Sequence, residues 1–194
     1  EMAYPDRFEL KDSLYQYTWK TQSPEERREV IRALHWLLKM DADVERANLW
    51  LEQLRTWAGL GREGREENLP MDLEQLRGLS RSEYITIGAH TVNHRSLGAQ
   101  GRQGQEYEIG ASVRFLEKRL ERKIETFSYP FGSAVHFDQN TLEICAGNGI
   151  VKAATTVKGL WRKDTEPYQV PRVEAQDKGG KEFERFIEEC WRLV

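Results

Sequence analysis

The sequence predicts an α/β fold, with parallel strands and helices in its second part and a helical region in front of them. Two observations predict this fold. Short apolar runs, rich in β-branched and aromatic residues, alternate with segments of helical periodicity after residue 70. Such alternation is typical of parallel sheets with helical crossovers. The 194 residues are enough for one domain with a sizeable core.

Charge and hydropathy exclude several classes of protein. The net charge is −3, and charged residues make up 31% of the chain, with a mean hydropathy of −0.73. There is no basic patch of the kind that binds nucleic acid, so we expect no nucleic-acid partner. No apolar stretch approaches the length of a membrane span, so we expect no membrane-spanning segment in this chain.

Residues 1–69 are predicted to be a helical region, an insertion or linker ahead of the α/β part. Ser-Pro-Glu-Glu at residues 23–26 is a capping box with proline in the first turn, and apolar residues follow it at helical spacing. A second helix is predicted over residues 43–58, with Gly59 as its end. Residues 61–68 are charged and glycine-bearing, as in a linker.

Four tryptophans lie in this first region, Trp19, Trp36, Trp50 and Trp57. Their helical spacing favours packing between helices. The alternative is a platform on which sugar rings stack, because flat aromatic faces suit sugar faces.

Residues 70–194 begin with a short predicted helix over 72–79. The strands are predicted over residues 84–89, 124–129, 150–156 and 168–173, and the further helices over 103–122, 139–146 and 181–193. Cys145 and Cys190 each lie on an apolar helical face, so both are predicted to be buried free thiols.

Two histidines follow the first predicted strand. His90 and His94 come directly after the alternating run 84–89, at the end of the strand where α/β sheets place their ligand sites. Two imidazoles held there could bind one metal ion. On spacing alone, however, such a pair is more often part of the surface or the core.

A second segment, about thirty residues after the histidines, makes the pattern more specific. Thr-Ile-Gly-Ala-His-Thr-Val-Asn-His at residues 86–94 is followed by Phe-Ser-Tyr-Pro-Phe-Gly at residues 127–132. In order and spacing the two segments closely resemble the polysaccharide deacetylase family of carbohydrate esterases, over residues 71–173. That family folds as a distorted βα barrel with fewer strands than an eightfold one. Four predicted strands are too few to close it, so the resemblance implies the C-terminal portion of such a domain in residues 70–194.

The resemblance also implies an activity, the metal-dependent removal of N- or O-acetyl groups from a polysaccharide or oligosaccharide. By residue match, His90 and His94 are the metal ligands, and zinc is the expected metal. The backbone amide of Phe131 corresponds to an oxyanion donor. Tyr129 corresponds to a residue lining the substrate pocket, with packing in the core as the alternative. Arg172 corresponds to the arginine that orients the catalytic base, with a surface arginine as the alternative.

The resemblance is incomplete in one respect. The family takes a metal-binding aspartate and a catalytic-base aspartate from an Asp-Asp segment, and residues 1–194 contain no adjacent pair of aspartates. We expect that segment in a missing N-terminal part of the same domain, so the 194-residue chain alone should be inactive. The alternative is a non-catalytic carbohydrate-binding or assembly module on the same fold. The general acid stays open, with His136 as one candidate.

Overall fold

The computed structural model of the protein describes residues 5–64, 68–175 and 177–192. The chain divides into two compact units, Glu1–Met71 and Asp72–Val194. A separate hydrophobic core lies in each unit, so each is described by itself. None of the helices that the structure describes has the length and apolar character needed to cross a bilayer.

The first unit opens with a β-hairpin. β1 (Arg7–Lys11) pairs antiparallel with β2 (Gln16–Lys20). The side chain of Asp12 accepts hydrogen bonds from two backbone amides of the connecting turn. The prediction that residues 1–69 are helical is therefore wrong for residues 7–20, and its residues 1–4 and 65–67 lie outside the described part.

The hairpin carries a signal of period two. Phe8 and Leu10 are buried and alternate with exposed charged residues along β1. Opposite them on β2 lie Trp19 and Tyr17, which pack on the same core. Alternation of this kind places every second side chain on the buried face of a sheet. Only two apolar residues fall in each strand, too few for the alternation to predict a strand from the sequence.

Two helices complete the first unit, as predicted. α1 (Pro24–Met40) begins at Ser23, whose side chain forms the predicted capping box with Glu26. α2 (Val44–Ala58) ends at Gly59, which has the left-handed conformation usual after a helix.

The tryptophans of this unit are mostly packing residues. Trp50 is buried, and Trp19 and Trp57 pack against the same core. Trp36 is 56% exposed, so it does not take part in that core. The packing interpretation therefore holds for three of the four rings.

The second unit alternates helices with a parallel sheet. Its helices are α3 (Leu73–Ser80), α4 (Arg102–Leu120), α5 (Gln139–Gly147) and α6 (Gly180–Trp191), and its strands are β3 (Thr126–Ser128), β4 (Lys152–Lys158) and β5 (Val170–Arg172). The strands pair in the order β3-β4-β5, all parallel. The predicted parallel pairing is confirmed. The sheet has three strands and does not close into a barrel within the described residues.

The predicted strand at residues 84–89 forms only in its last residue. Ala89 pairs with β3 through a single bridge, donating to the carbonyl of Thr126 and accepting from the amide of Ser128. Tyr84 is 88% exposed. An alternating pattern stabilises a strand only where one face is covered, and residues 84–88 form no strand in the structure.

The core of the second unit lies between the sheet and its helices. It consists of Ala89, Leu97, Ile109, Val113, Ile124, Phe127, Tyr129, Ile144, Cys145, Ile150 and Ala153. Cys145 and Cys190 are both free and buried, as predicted.

Candidate functional site

The structure brings the two predicted metal ligands together. His90 directly follows Ala89, so the bridge to β3 fixes where its backbone starts. The centroids of the His90 and His94 rings are 4.8 Å apart, and the planes meet at 70°. Both side chains lie at the carboxyl edge of the parallel sheet, as the sequence predicts.

The ring of His90 is oriented by Ser128 at the end of β3. Its Nδ1 lies 2.6 Å from the carbonyl oxygen of Ser128 and 2.9 Å from the hydroxyl oxygen. Because a carbonyl oxygen can only accept, Nδ1 carries the hydrogen. In the neutral ring Nε2 then keeps a lone pair, which is the arrangement seen where a second group orients a metal-binding histidine.

The backbone between the two histidines is unusual. Thr91 and His94 have φ values of +65° and +53°, a left-handed conformation that costs a residue with a side chain about 1–2 kcal/mol. The amide of His94 donates to the hydroxyl oxygen of Thr91 at 3.0 Å. Other contacts must hold this loop, because a free chain would relax from that conformation.

A buried glutamate on α4 provides such contacts. One carboxylate oxygen of Glu108 accepts from the amides of Val92 and Asn93, both at 2.8 Å, and the other accepts from Nδ2 of Asn93 at 2.7 Å. Glu108 is 2% exposed. The loop that carries the histidines is thus fixed from the neighbouring helix.

The surroundings of His94 favour its neutral form. Burial lowers the pKa of His94, and a positive charge on His90 lowers it further. Neutral imidazole is the form that binds a metal. Both imidazole rings can therefore offer a lone pair to a divalent metal ion.

A catalytic zinc ion usually has three protein ligands and a water molecule. In residues 5–64, 68–175 and 177–192, no group of three or more His, Cys, Asp or Glu side chains could hold a metal ion. His90 and His94 fit as two ligands of a larger set.

The second motif forms a tight turn against β4. Phe131 and Gly132 both have φ values of +62°. The amide of Gly132 donates to the carbonyl of Pro130 at 2.7 Å. Thr156 holds the turn from β4, because its hydroxyl donates to the Phe131 carbonyl at 2.7 Å and its amide to the Gly132 carbonyl at 2.9 Å.

The ring of Phe131 links the turn to the histidines. Its centroid lies 5.0 Å from that of His94, in a T-shaped arrangement, and 5.3 Å from that of His136. His136 is 3% exposed, and its Nδ1 lies 2.9 Å from the hydroxyl oxygen of Ser96. His136, the candidate general acid, is therefore a buried side chain that lies against the ring of Phe131.

Tyr129 lies in the core, as the packing alternative expects. It is 1% exposed, its ring stacks on Phe137 with centroids 4.4 Å apart, and its hydroxyl donates to the carbonyl of Tyr168 at 2.8 Å. Burial and the neighbouring Cys145 thiol raise the pKa of Tyr129. The expectation that Tyr129 lines the substrate pocket is corrected accordingly: in this structure its side chain is enclosed by protein atoms.

Arg172 lies at the end of β5, beside the strand that holds the turn. Its Nε donates to the carbonyl of Thr155 at 2.6 Å. Together with Thr156, Val173 and Glu174 it lines a cavity of about 370 Å³. Arg172 and the Phe131 turn are thus connected through two adjacent threonines of β4.

Sequence reasoning missed three residues that shape the site: Ser128, Glu108 and Thr156. Ser128 could have been found from the parallel pairing, since it follows Phe127 on the strand that the His90 segment joins. Glu108 lies next to Ile109 on the apolar face of α4, and a charged residue in such a position needs partners. For Thr156 we find no sequence signal.

Comparisons with known proteins identify the family of the chain. Residues 56–153 match the family model described as polysaccharide deacetylase. The chain is 26% identical over 116 residues to YxkH of Bacillus subtilis (strain 168), which carries a provisional polysaccharide deacetylase name. The match covers 59% of this chain and 40% of YxkH.

Solved deacetylase structures share the fold. The Streptococcus pyogenes deacetylase PplD, in complex with acetate, superposes with a TM-score of 0.57 and 21% identity over 64% of this chain and 53% of PplD. BC0361, a polysaccharide deacetylase from Bacillus cereus, gives a TM-score of 0.54 and 20% identity over 64% of this chain and 38% of BC0361. The chain therefore spans about half of these relatives' length or less.

The match of residues 56–153 includes the histidine loop, its supporting helix α4 and the Phe131 turn, and it extends over half of the sequence. The protein therefore belongs to the polysaccharide deacetylase family.

Proposed function

We propose that this chain forms the C-terminal part of a metal-dependent hydrolase that removes N- or O-acetyl groups from a polysaccharide. The observation that carries the proposal is the pair His90 and His94. Their rings are 4.8 Å apart at the carboxyl edge of the sheet, beside a turn whose central amide could face a reacting acyl group. The acetyl substrate and the dependence on a metal are both parts of the proposal.

His90 would hold the metal through Nε2, since Nδ1 is engaged by Ser128. His94 would be the second ligand, and its lowered pKa keeps it in the binding form near neutral pH. When bound, a zinc or similar divalent ion polarises the acetyl carbonyl and acidifies a water molecule. Two neutral ligands alone bind such an ion weakly.

The remaining ligand and the catalytic base would come from a carboxylate-bearing segment outside residues 1–194. A cavity of about 570 Å³ lies beside the histidine loop. His90, Thr91 and Val92 line it on one side, and apolar residues of α4 line it on another. Such a space is suited to a further segment that packs on α4 and delivers carboxylates next to His90.

The Phe131 turn would stabilise the oxyanion that forms when water adds to the acetyl carbon. A backbone amide is an effective donor only if its position is fixed before the reaction. Thr156 holds the carbonyls of Phe131 and Gly132, and the Gly132 amide holds the carbonyl of Pro130. The proline before the Phe131 amide restricts the chain further. The bond from the acyl carbon to the sugar nitrogen or oxygen would then break, the leaving atom would take up the proton that the base removed from the water, and acetate would be released.

Arg172 would orient the base. Its guanidinium is always charged and can form paired hydrogen bonds with a carboxylate. The bond from Nε to Thr155 leaves this side chain anchored on β4, next to the residues that hold the turn. We expect it to keep the pKa of the base low enough to accept a proton at neutral pH.

The test is acetate release from acetylated oligosaccharides by a chain extended with the carboxylate-bearing segment, with and without a metal chelator. His90→Ala and His94→Ala should each weaken zinc binding by more than about 100-fold, beyond the loss usual for supporting residues. Activity should fall with it. His35→Ala, an exposed histidine on α1, is the matched control and should change neither quantity. The 194-residue chain alone should release little acetate.

Two results would contradict the proposal. Zinc binding that survives both histidine substitutions would remove the metal site. Zinc binding and oligosaccharide binding without acetate release would instead support the non-catalytic carbohydrate-binding or assembly module.

A further inference from the structure

We propose that Glu108 is the positioning residue of the metal site, because its carboxylate holds the loop from which His90 and His94 project. The inference rests on the proposed function, since it assigns to Glu108 a role in metal affinity. Glu108 does not touch the metal or the substrate in this role. It acts through the backbone of Val92 and Asn93.

The contacts of Glu108 are those of a dedicated acceptor. Three N–H groups of the loop converge on its two oxygens at 2.7–2.8 Å. Hydrogen bonds to an ionised acceptor are shorter and stronger than those between neutral groups. All three come from Val92 and Asn93, two of the three residues between the histidines, so the carboxylate binds the middle of the loop.

The other described contacts of the loop lie at its ends. Ser128 holds the His90 ring, and the Thr91 hydroxyl accepts from the His94 amide. Neither bond reaches Val92 or Asn93. The left-handed conformations of Thr91 and His94 persist only if the segment between them is held. A change of backbone there would alter the distance between the two rings.

A purely structural role is the competing explanation, and burial argues against it. A carboxylate that is 2% exposed is costly to bury, and an apolar side chain at this position of α4 would pack at lower cost. The cost is offset only if the loop amides need an acceptor at this place. The length of the side chain at position 108 then decides whether the loop is held. A variant that keeps an acceptor atom at the same distance should keep the loop conformation and the zinc affinity.

The experiment uses two variants with opposite expectations. Glu108→Gln keeps the length, and its carboxamide oxygen can still accept from the amides of Val92 and Asn93. The Asn93 carboxamide can turn over, so that its oxygen accepts from the new NH2 group and all three bonds are kept. Glu108→Asp keeps the charge but is shorter by one methylene, about 1.5 Å, so bonds now at 2.8 Å would exceed hydrogen-bond distance. The matched controls are the same changes at Glu106, an exposed residue on α4 paired with Arg102.

Two quantities are measured on the 194-residue chain. Amide hydrogen exchange of Val92 and Asn93 reports on the loop without metal, and competition with a chromophoric chelator reports zinc affinity. In Glu108→Asp the two amides should exchange at least about tenfold faster, and zinc affinity should fall about 10–100-fold. Glu108→Gln should stay within about threefold of the wild type. Exchange in α4 at Ile109 and Val113 checks the fold.

The outcomes separate the proposals. The inference is overturned if Glu108→Asp leaves either quantity unchanged, or if Glu108→Gln weakens both as much as Glu108→Asp does. If Glu108→Asp unfolds the chain, Asn93→Ala decides, since it removes one of the three bonds from an exposed residue. An unchanged zinc affinity there would overturn the inference. If the wild-type chain extended with the carboxylate-bearing segment binds no zinc, the proposed function fails, and the exchange rates still decide whether Glu108 holds the loop.

Discussion

The two loops of the candidate site are held in different ways. The loop 91–94 and the turn 130–132 both contain residues with side chains in the left-handed conformation. The first is held by one carboxylate from a helix. The second is held by Thr156, through the amide and the hydroxyl of a residue on the adjacent strand.

The difference affects how each loop responds to mutation. Part of the support for the turn 130–132 is a backbone amide, which no substitution except proline removes. The support for the loop 91–94 depends on the length of one side chain, Glu108. We therefore expect the turn to be sensitive mainly to changes of its own residues, and the loop to changes on α4.

The largest effect on stability is expected from Gly132→Ala. Gly132 has a φ of +62°, and an added Cβ would lie 2.7 Å from the Thr156 amide nitrogen. Left-handed strain of about 1–2 kcal/mol and overpacking of about 1–3 kcal/mol together predict a loss of about 2–5 kcal/mol in the free energy of unfolding. Urea denaturation measures it.

Gly149→Ala is the matched control for this change. Gly149 has a φ of +78°, but nothing lies within 4 Å of an added Cβ. Only the left-handed strain should appear there, about 1–2 kcal/mol. Equal losses in the two variants would mean that the close approach to β4 contributes nothing to holding the turn.

The same comparison shows what the sequence could predict about the site. Proline and glycine mark the turn 130–132 directly, because they restrict or permit particular backbone angles. The pair His90 and His94 was found through its residue types and spacing. The supports at Ser128, Glu108 and Thr156 come from other elements, and their contacts depend on the packing of strands and helices that no local pattern encodes.

The secondary-structure elements also differ in whether a local sequence signal predicts them. Helices with local signals, such as the capping box at Ser23 and the glycine end at Gly59, form where predicted. The hairpin 7–20 was missed because each strand is short. The segment 84–89 has the pattern of a strand, but strand formation also requires a paired neighbour and a covered face, which only Ala89 has in the described structure.

A smaller effect, on catalysis alone, is expected from Arg172→Lys in the extended, active chain. Lysine keeps the charge but cannot form paired bonds with a carboxylate. We expect the turnover rate to fall about tenfold or more, within the range for supporting residues, and zinc affinity to stay unchanged. The measurement is deacetylation kinetics across pH, with zinc content checked in both proteins.

Arg162→Lys, at an exposed position in the same unit, is the control for a general effect of the substitution. Turnover of Arg172→Lys at the wild-type rate, with an unshifted acidic limb, would make Arg172 a surface residue. Loss of zinc together with turnover would instead mean that β5 supports the histidine loop as well as the turn.

The smallest effect concerns the residues beneath the turn at alkaline pH. Burial raises the pKa of Cys145 to about 12, although a hydrogen bond with Tyr129 opposes the shift. Tyr129 directly precedes the turn. In the unfolded chain the thiol ionises near its ordinary value, so above about pH 9 the unfolded state loses a proton that the folded state keeps. Stability present below that pH should therefore decrease as the pH rises, by about 1 kcal/mol between pH 8 and pH 10.

Urea denaturation at both pH values should show a smaller decrease for Cys145→Ala, with Cys190→Ala behaving as the wild type. An equal decrease in all three proteins would assign the alkaline sensitivity to another group, and the region beneath the turn would then be no more pH-sensitive than the histidine loop.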